Sequence, residues 1–184
     1  MGAKTLLTVE HLERLPETCD VSYELDQGEL VEVSSASLLH NCIRDLVLHR
    51  LMTYRDTQSP KDKGIVVSEQ WFRLSEDTVR APDVALIAPS QLASLEPERR
   101  VQPFSPALAI EITSPSNTFD ELARKTQQYL EAGTRAVWIF VTAMRQIHVY
   151  SATAHPVILT AEDLLEDAAL LPGFSACVEE LFAV

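Results

Sequence analysis

Two apolar segments that each carry one carboxylate constrain the fold of this chain more than any other feature. Residues 82–87 predict a buried strand with Asp83 at its mouth, and residues 107–113 predict a second strand that carries Glu111. A helix over 118–132 follows the second strand. This order predicts an α/β fold whose sheet holds two acids on adjacent strands.

The segments around this unit predict the rest of the sheet and its cover. Apolar residues with a 3.6-residue period predict a long helix over 37–54, with Ser37 as its N-cap. Residues 65–74 predict one long strand, and the near-continuous apolar run 135–141 predicts a central buried strand. Shorter elements are expected nearer the two ends, namely a helix over 8–15, antiparallel strands over 147–150 and 156–159, and a helix around 178–182.

Two further segments predict peripheral structure. Residues 22–25 and 29–33 alternate in character around a tight turn, which predicts a β-hairpin. Both faces of the hairpin mix apolar and charged residues, so we expect it to lie outside the main sheet. The segment 89–106 is longer than ordinary connections, and we expect a mobile loop that exposes Arg99 and Arg100 to solvent.

Composition limits the class of protein. A length of 184 residues with 46% hydrophobic content predicts one soluble globular domain over 1–184. No apolar run approaches the ~20 residues of a membrane helix, so we expect no membrane partner. Three scattered cysteines (Cys19, Cys42 and Cys177) without CxxC spacing, and no signal-peptide pattern, predict a cytoplasmic protein. The net charge of −12 requires a nucleic-acid binder to concentrate its cations locally or to use a metal.

Glu111 is the more unusual of the two acids. Ala107, Ala109 and Thr113 share its face of the strand, which leaves space beside the carboxylate. A buried carboxylate without a partner costs several kcal/mol, so a cation must compensate it, either a side chain or a metal. An arginine salt bridge is the plain alternative for Glu111. For the other acid, Asp83, the plain alternative is a loop-terminating residue after a proline.

Lys125 lies on the face of the predicted helix that should be buried. It follows Leu122 by three residues and precedes Tyr129 by four, so it borders or joins the inward stripe. The alternative is a surface pair with Glu121, which would be worth only ~0.2–0.5 kcal/mol.

Two acids and a lysine make chemical sense together. Carboxylates and a backbone carbonyl are the hard oxygen ligands that Mg²⁺ prefers, with waters and a substrate phosphate completing the octahedron. A lysine nearby can stabilise the charge that develops on the phosphate or orient the nucleophile. The pattern favours metal-assisted phosphodiester hydrolysis.

The ordered set of motifs resembles the Uma2 family (DUF820), a branch of the restriction-endonuclease-like PD-(D/E)XK nucleases. The resemblance extends over about residues 6 to 182 and is carried by these motifs in order: Tyr23-Glu24-Leu25, Gly28-Glu29-Leu30-Val31, His40, Pro82-Asp83-Val84, Glu111-Ile112-Thr113-Ser114-Pro115-Ser116, Asp120, Lys125, Tyr129, Gly133 and Trp138. It implies an αβββαβ core with a mixed central sheet flanked by helices, an N-terminal hairpin and extra C-terminal strands. It also implies hydrolysis of DNA with Mg²⁺, for which Mn²⁺ can substitute.

Site roles follow from the resemblance residue by residue. Asp83 and Glu111 correspond to the metal-binding acids, and the Ile112 backbone carbonyl to a third metal ligand. The nuclease signature places its lysine at the position of Thr113, and in Uma2-like sequences Lys125 on the helix replaces it.

His40 and Glu24 also match the family pattern and are candidate catalytic residues. The sequence alone favours plainer roles for both. A histidine in the first turn of a helix is more often a cap or a surface residue, and an acid on a hairpin is more often solvated.

Three hypotheses follow. The preferred one is a metal-dependent endodeoxyribonuclease that uses Asp83, Glu111 and Lys125. The second is a nuclease fold retained as a nucleic-acid-binding module without turnover, which the net charge and Thr113 favour. The third is a structural homodimer whose acids are paired with arginines; homodimer formation is also possible under the first.

Overall fold

The computed structural model describes residues 6–16, 22–33, 36–115 and 117–184. Cys19, and Ser116 within the expected turn, lie outside the described residues. The helices are α1 Val9–Glu13, α2 Leu38–Thr57, α3 Phe119–Glu131 and α4 Val178–Leu181, with a 3₁₀ helix at Pro89–Ser94. The strands in chain order are β1 Ser22–Asp26, β2 Glu29–Val33, β3 Ile65–Ser68, β4 Trp71–Arg73, β5 Val79–Arg80, β6 Val84–Ile87, β7 Val101–Gln102, β8 Leu108–Ile112, β9 Ala136–Val141, β10 Gln146–Ser151, β11 Val157–Leu159, β12 Leu164–Leu165 and β13 Ala176–Cys177.

The main sheet has the order β11-β10-β9-β8-β6-β3 within the described residues. β8 and β9 are parallel and are joined by α3, while the other neighbouring pairs are antiparallel. The succession α2, β3, β6, β8, α3, β9 is the expected αβββαβ core. β9 is central and nearly fully buried, as its apolar run predicts.

Alternation along β8 sends its side chains to two different helices. Leu108, Ile110 and Ile112 pack into the large core beneath α2, which also contains Trp138 and Phe140. Ala109 packs on the opposite face with residues of α3. The acid of β8 therefore faces α3, whereas the strand's large apolar residues face α2.

A second sheet has the order β2-β1-β5-β4-β7 within the described residues. The expected hairpin forms, with a turn at Gln27 (φ 50°) and Gly28 (φ 80°). It lies outside the main sheet, and β2 is an exposed edge strand. β1, however, pairs with β5 and ends in three buried residues, Glu24, Leu25 and Asp26.

The single strand expected over 65–74 is wrong. Glu69 adopts a φ of 54°, which lies outside the extended region, and its amide nitrogen donates to the Pro82 carbonyl oxygen at 3.2 Å. The strand ends there, so β3 and β4 are separate strands, and they belong to different sheets.

The mobile loop expected over 89–106 is also wrong, because this segment contains the 3₁₀ helix and β7. Arg99 Nε donates to Glu13 Oε1 at 2.7 Å, and Arg100 donates to the Leu15 carbonyl oxygen at 2.9 Å. Arg100 also lies over the Trp71 ring, 4.7 Å from its centre. Both arginines therefore fasten α1 to the second sheet.

None of the helices in the described ranges has the length and apolar content that crossing a membrane requires. The expectation of one domain over 1–184 stays a prediction.

We expect Gly64→Ala to destabilise the main sheet. A Cβ at Gly64 would lie 2.5 Å from the Ile87 carbonyl oxygen, and backbone atoms cannot move aside without disturbing the pairing of β3 with β6. The free energy of unfolding, measured in urea, should fall by about 1–3 kcal/mol. The exposed Glu162→Ala is the control and should stay within ~0.5 kcal/mol of the parent. Equal stability of the two variants would contradict the close approach.

Candidate functional site

Asp83 lies at the start of β6, beside the end of the antiparallel strand β8. Its Oδ1 atom is 2.9 Å from His40 Nε2, and its Oδ2 atom accepts a hydrogen bond from the Ile112 amide nitrogen at 2.6 Å. The carboxylate is therefore fixed from two elements, α2 and β8. The role of a simple loop-terminating acid does not account for these contacts.

Glu111 is 8% exposed and faces α3. The Tyr129 hydroxyl donates to its Oε1 atom at 2.9 Å, and Lys125 Nζ lies 3.5 Å from its Oε2 atom. Its cationic partner in the structure is this lysine and not an arginine.

Lys125 reaches inward, as the helical period predicts. Its ammonium group lies 3.1 Å from Glu24 Oε1 and 3.0 Å from Glu24 Oε2, in addition to its contact with Glu111. Glu121 takes a different role, because it caps α3 with Thr118. The lysine therefore lies between two carboxylates that come from two different sheets.

The expectation that Glu24 is a solvated strand acid is wrong. Its side chain is 2% exposed, and besides Lys125 it contacts Arg80 at 2.9 Å and accepts from the Ala81 amide nitrogen at 3.1 Å. The pairing of β1 with β5, at Leu25 and Val79, brings these groups together.

Arg80 is the site residue that the sequence analysis missed. Its side chain is 3% exposed and also contacts Asp26 Oδ1 at 2.8 Å and Gln128 Oε1 at 2.7 Å. Gln128 in turn donates to Asp26 at 2.8 Å. The sequence signal that could have indicated Arg80 is its position three residues before Asp83, but nothing in the sequence indicates its partners.

The expectation that His40 is a cap or surface residue is wrong as well. The residue is 8% exposed, and its ring faces Asp83. Its amide nitrogen is capped by the Ser37 hydroxyl at 3.2 Å, so the predicted N-cap is present. Within the described part of the chain, the buried Nδ1 atom of His40 has no hydrogen-bond partner.

Burial and neighbouring charges shift the pKa values in this cluster. Burial raises the pKa of Glu111 to about 7; Lys125 opposes this rise, while Asp83 and Glu24 add to it. For Lys125, burial lowers the pKa, but the charges of Glu111 and Glu24 outweigh it and the net shift is upward. The hydrogen bond to Asp83 is the main reason that the pKa of His40 is raised, with burial acting against it. Lys125 favours the ionised form of both glutamates, but for Glu111 the effect of burial is larger and the net shift of its pKa is upward.

The donor atoms fit a hard divalent cation that keeps several waters. In the described ranges, no group of three or more His, Cys, Asp and Glu side chains is arranged to hold a metal. Two carboxylates and a carbonyl are nevertheless enough for Mg²⁺, which typically retains waters and binds substrate phosphate. Among the described residues, each oxygen of Asp83 accepts one hydrogen bond, and a cation near Asp83 and Glu111 would favour the ionised form of Glu111, whose pKa burial raises.

The comparisons with known proteins identify the family. A model of the family Uma2, described as "Putative restriction endonuclease", matches residues 9–179. The chain belongs to the Uma2 family. The Uma2 match covers the acids, the lysine and both sheets. Among curated proteins, no match was found.

A solved Uma2-type structure supports the fold. The crystal structure of a DUF820 protein from Anabaena variabilis, described as a putative nuclease, superposes with a TM-score of 0.83. The two sequences are 17% identical, and the match covers 96% of this chain and 98% of the other. At this identity the likeness shows the fold. Family and fold together indicate a restriction-endonuclease-like nuclease.

We expect Glu24→Gln to cost about 3–5 kcal/mol of unfolding free energy, because it leaves Arg80 and Lys125 without their shared carboxylate. Burial raises the pKa of Glu24, but Lys125 and Arg80 lower it by more, to below 4.5. A depressed pKa contributes stability above the unfolded value, and this contribution is lost as the pH falls through the folded value. The difference in unfolding free energy between parent and variant should therefore be constant near neutral pH and shrink below pH 4.5.

Urea unfolding followed by circular dichroism across this pH range measures the difference. Glu32→Gln, an exposed acid on the other strand of the hairpin, is the matched control and should change stability by less than ~0.5 kcal/mol. A Glu24→Gln variant as stable as this control would show that the buried pairs contribute nothing.

Proposed function

We propose that this Uma2 protein is a metal-dependent endonuclease that hydrolyses phosphodiester bonds of DNA. The observation that carries the proposal is the proximity of Asp83, Glu111 and Lys125 near one end of the adjacent strands β6 and β8, with the lysine between carboxylates. The ammonium group of Lys125 lies closer to Glu24, at 3.0 Å, than to Glu111, at 3.5 Å, so its ion pair with Glu24 is the tighter of the two.

Asp83, Glu111 and the Ile112 carbonyl would hold Mg²⁺ or Mn²⁺. When bound, the ion would supply a Lewis acid that lowers the pKa of a water and neutralises charge on the phosphate. Tyr129 supports this arrangement, since its hydroxyl fixes one oxygen of Glu111 and leaves the other toward Lys125.

Lys125 would stabilise negative charge on the phosphate or orient the attacking water. Its two carboxylate neighbours keep it in the ammonium form, so it donates hydrogen bonds rather than accepting a proton. Glu24 and His40 would act as positioning residues, because Glu24 contacts Lys125 and His40 contacts Asp83. This refines the candidate catalytic role that the family resemblance implies for both residues.

The two rival hypotheses are weaker on specific contacts. The structural-homodimer hypothesis pairs the acids with arginines, but Glu24 contacts Lys125 as well as Arg80, and the cationic partner of Glu111 is Lys125. The second hypothesis, a nucleic-acid-binding module without turnover, is supported by Thr113 at the position where the nuclease signature has its lysine. Thr113 accepts two hydrogen bonds from Thr142, each at 3.1 Å, so this position is used to hold the turn after β9.

Location and assembly are further proposals. A cytoplasmic location is supported by Cys42 and Cys177, which are free thiols. A homodimer is supported by β2, which is exposed along its length and is the terminal strand of the second sheet within the described residues. Sedimentation velocity tests the dimer directly.

Asp83→Asn and Glu111→Gln should each abolish Mg²⁺-dependent cleavage of plasmid DNA, because each removes a charged metal ligand and keeps the side-chain shape. Glu162→Gln, an exposed acid far along the chain, should cleave like the parent. Cleavage that persists equally in all three variants, or that is absent from the parent on both plasmid and single-stranded DNA with both Mg²⁺ and Mn²⁺, would refute the proposal.

Lys125→Met should separate metal binding from catalysis. We expect cleavage to fall by ~100-fold or more, whereas calorimetric Mn²⁺ binding is retained because the lysine is not a ligand. Lys125→Arg keeps the charge and serves as the comparison for folding, checked by circular dichroism. Unchanged cleavage by a folded Lys125→Met variant would exclude the lysine from the reaction.

A further inference from the structure

Large apolar side chains are exposed near the ends of strands β6 and β8, where the two acids lie. Among the described residues, Leu38 and Phe119 are the most exposed large apolar side chains, at 80% each, and Met144 and Leu39 are 65% and 50% exposed. The two leucines open α2, the phenylalanine opens α3, and the methionine lies in the turn between β9 and β10. We call these four residues the apolar rim.

Two parts of the apolar rim are tied to the acids through short contacts. Leu39 directly precedes His40, whose ring lies 2.9 Å from Asp83. Met144 follows Thr142 by two residues, and the amide nitrogen of Thr142 donates at 3.1 Å to the hydroxyl of the residue that follows β8. The rim therefore borders the ends of the strands that carry the site.

Phe119 extends the inward face of α3 past the end of the sheet. It precedes Thr126 by seven residues, about two helical turns, so the two side chains point the same way. Thr126 is buried, whereas Phe119 is 80% exposed. Because α3 returns antiparallel to the parallel strands β8 and β9, its first turn lies beyond the strand end near Glu111.

Two cations on the helices that carry the apolar rim are engaged by acids, whereas a third cation, Arg145, directly follows Met144 and is exposed. Arg44, one turn after the start of α2, pairs with Asp45 and Glu69, and Lys125 pairs with the two buried glutamates. Double-stranded DNA is bound largely through lysine and arginine contacts to phosphates, and the net charge of −12 opposes such binding. Proteins that bind an unpaired strand combine cations along its backbone with aromatic side chains on which the bases stack, and the paired bases of a duplex are not available for such stacking.

We infer that the apolar rim binds unpaired bases beside the scissile phosphate, so that the substrate is a single-stranded or locally unpaired nucleic-acid strand. The inference rests on the proposed function, since it names the substrate class of the same site. DNA and RNA strands offer the same base faces, and the experiment distinguishes them.

Fluorescence anisotropy with the Asp83→Asn variant measures binding without cleavage. A short labelled single strand should bind roughly tenfold or more tightly than a duplex of the same sequence, and an abasic strand with the same phosphates should bind as weakly as the duplex. Parallel DNA and RNA strands show which sugar is accepted. Adding Phe119→Ala should weaken binding roughly 5- to 150-fold, the range expected for losing one stacked base.

Ile158→Ala is the matched control, because Ile158 is 57% exposed on the edge strand β11 and lies outside the rim. It should bind like the parent. Equal binding of duplex and single strand, full binding of the abasic strand, or no effect of Phe119→Ala would each overturn the inference. A change in sedimentation coefficient caused by Phe119→Ala would also overturn it, since the rim would then be a contact between two copies.

The same proteins separate this inference from the proposed function. Mg²⁺-dependent cleavage by the parent, combined with unaffected binding in Phe119→Ala, would refute the rim and leave hydrolysis standing. Rim-dependent binding of single strands without any cleavage would support the rim and refute hydrolysis.

Discussion

The ammonium group of Lys125, held between Glu24 and Glu111, is the interaction on which the arrangement of the site depends. Glu24 belongs to the five-stranded sheet and Glu111 to the six-stranded sheet, so one side chain joins the two. Taking each charge out of water costs several kcal/mol, and neither glutamate is exposed enough to regain this from solvent. The position of the hairpin and the burial of the acid on β8 therefore depend on each other.

The same contacts leave negative charge beside Asp83. Lys125 is closer to Glu24 than to Glu111, and Tyr129 offers Glu111 only a neutral donor. Within the described ranges, the buried acids Glu24, Asp26 and Glu111 share Arg80, Lys125 and Arg124, none of which pairs with Asp83. Because the charge of Asp83 raises the pKa of Glu111, a cation that joined the two acids would relieve the repulsion between them. A strongly acidic protein repels a polyanion such as a nucleic acid. A metal bound at the acids and base contacts at the apolar rim would each offset this repulsion.

Periodicity predicted the elements and the faces of this site, because it depends on local geometry. Alternation along β8 and the 3.6-residue period of α3 placed Lys125 inward on the correct side of the sheet. The burial of Glu24 and His40 could not be predicted, since their partners lie 101 and 43 residues away and depend on strand pairing and helix docking. The end of the strand at Glu69 could not be predicted for a different reason, because glutamate carries no preference for a positive φ.

The location of the lysine on a helix has a structural consequence. A lysine at position 113 would extend from the strand end, where Thr113 instead fastens the loop after β8 to the turn after β9. From α3, Lys125 approaches Glu111 across the face of the sheet, and at that depth its stem is enclosed and its charge needs a second carboxylate. Glu24 supplies that carboxylate, and Arg80 keeps Glu24 ionised. Moving the lysine from strand to helix therefore requires the hairpin sheet, which explains why the second sheet is part of the site and not an appendage to the core.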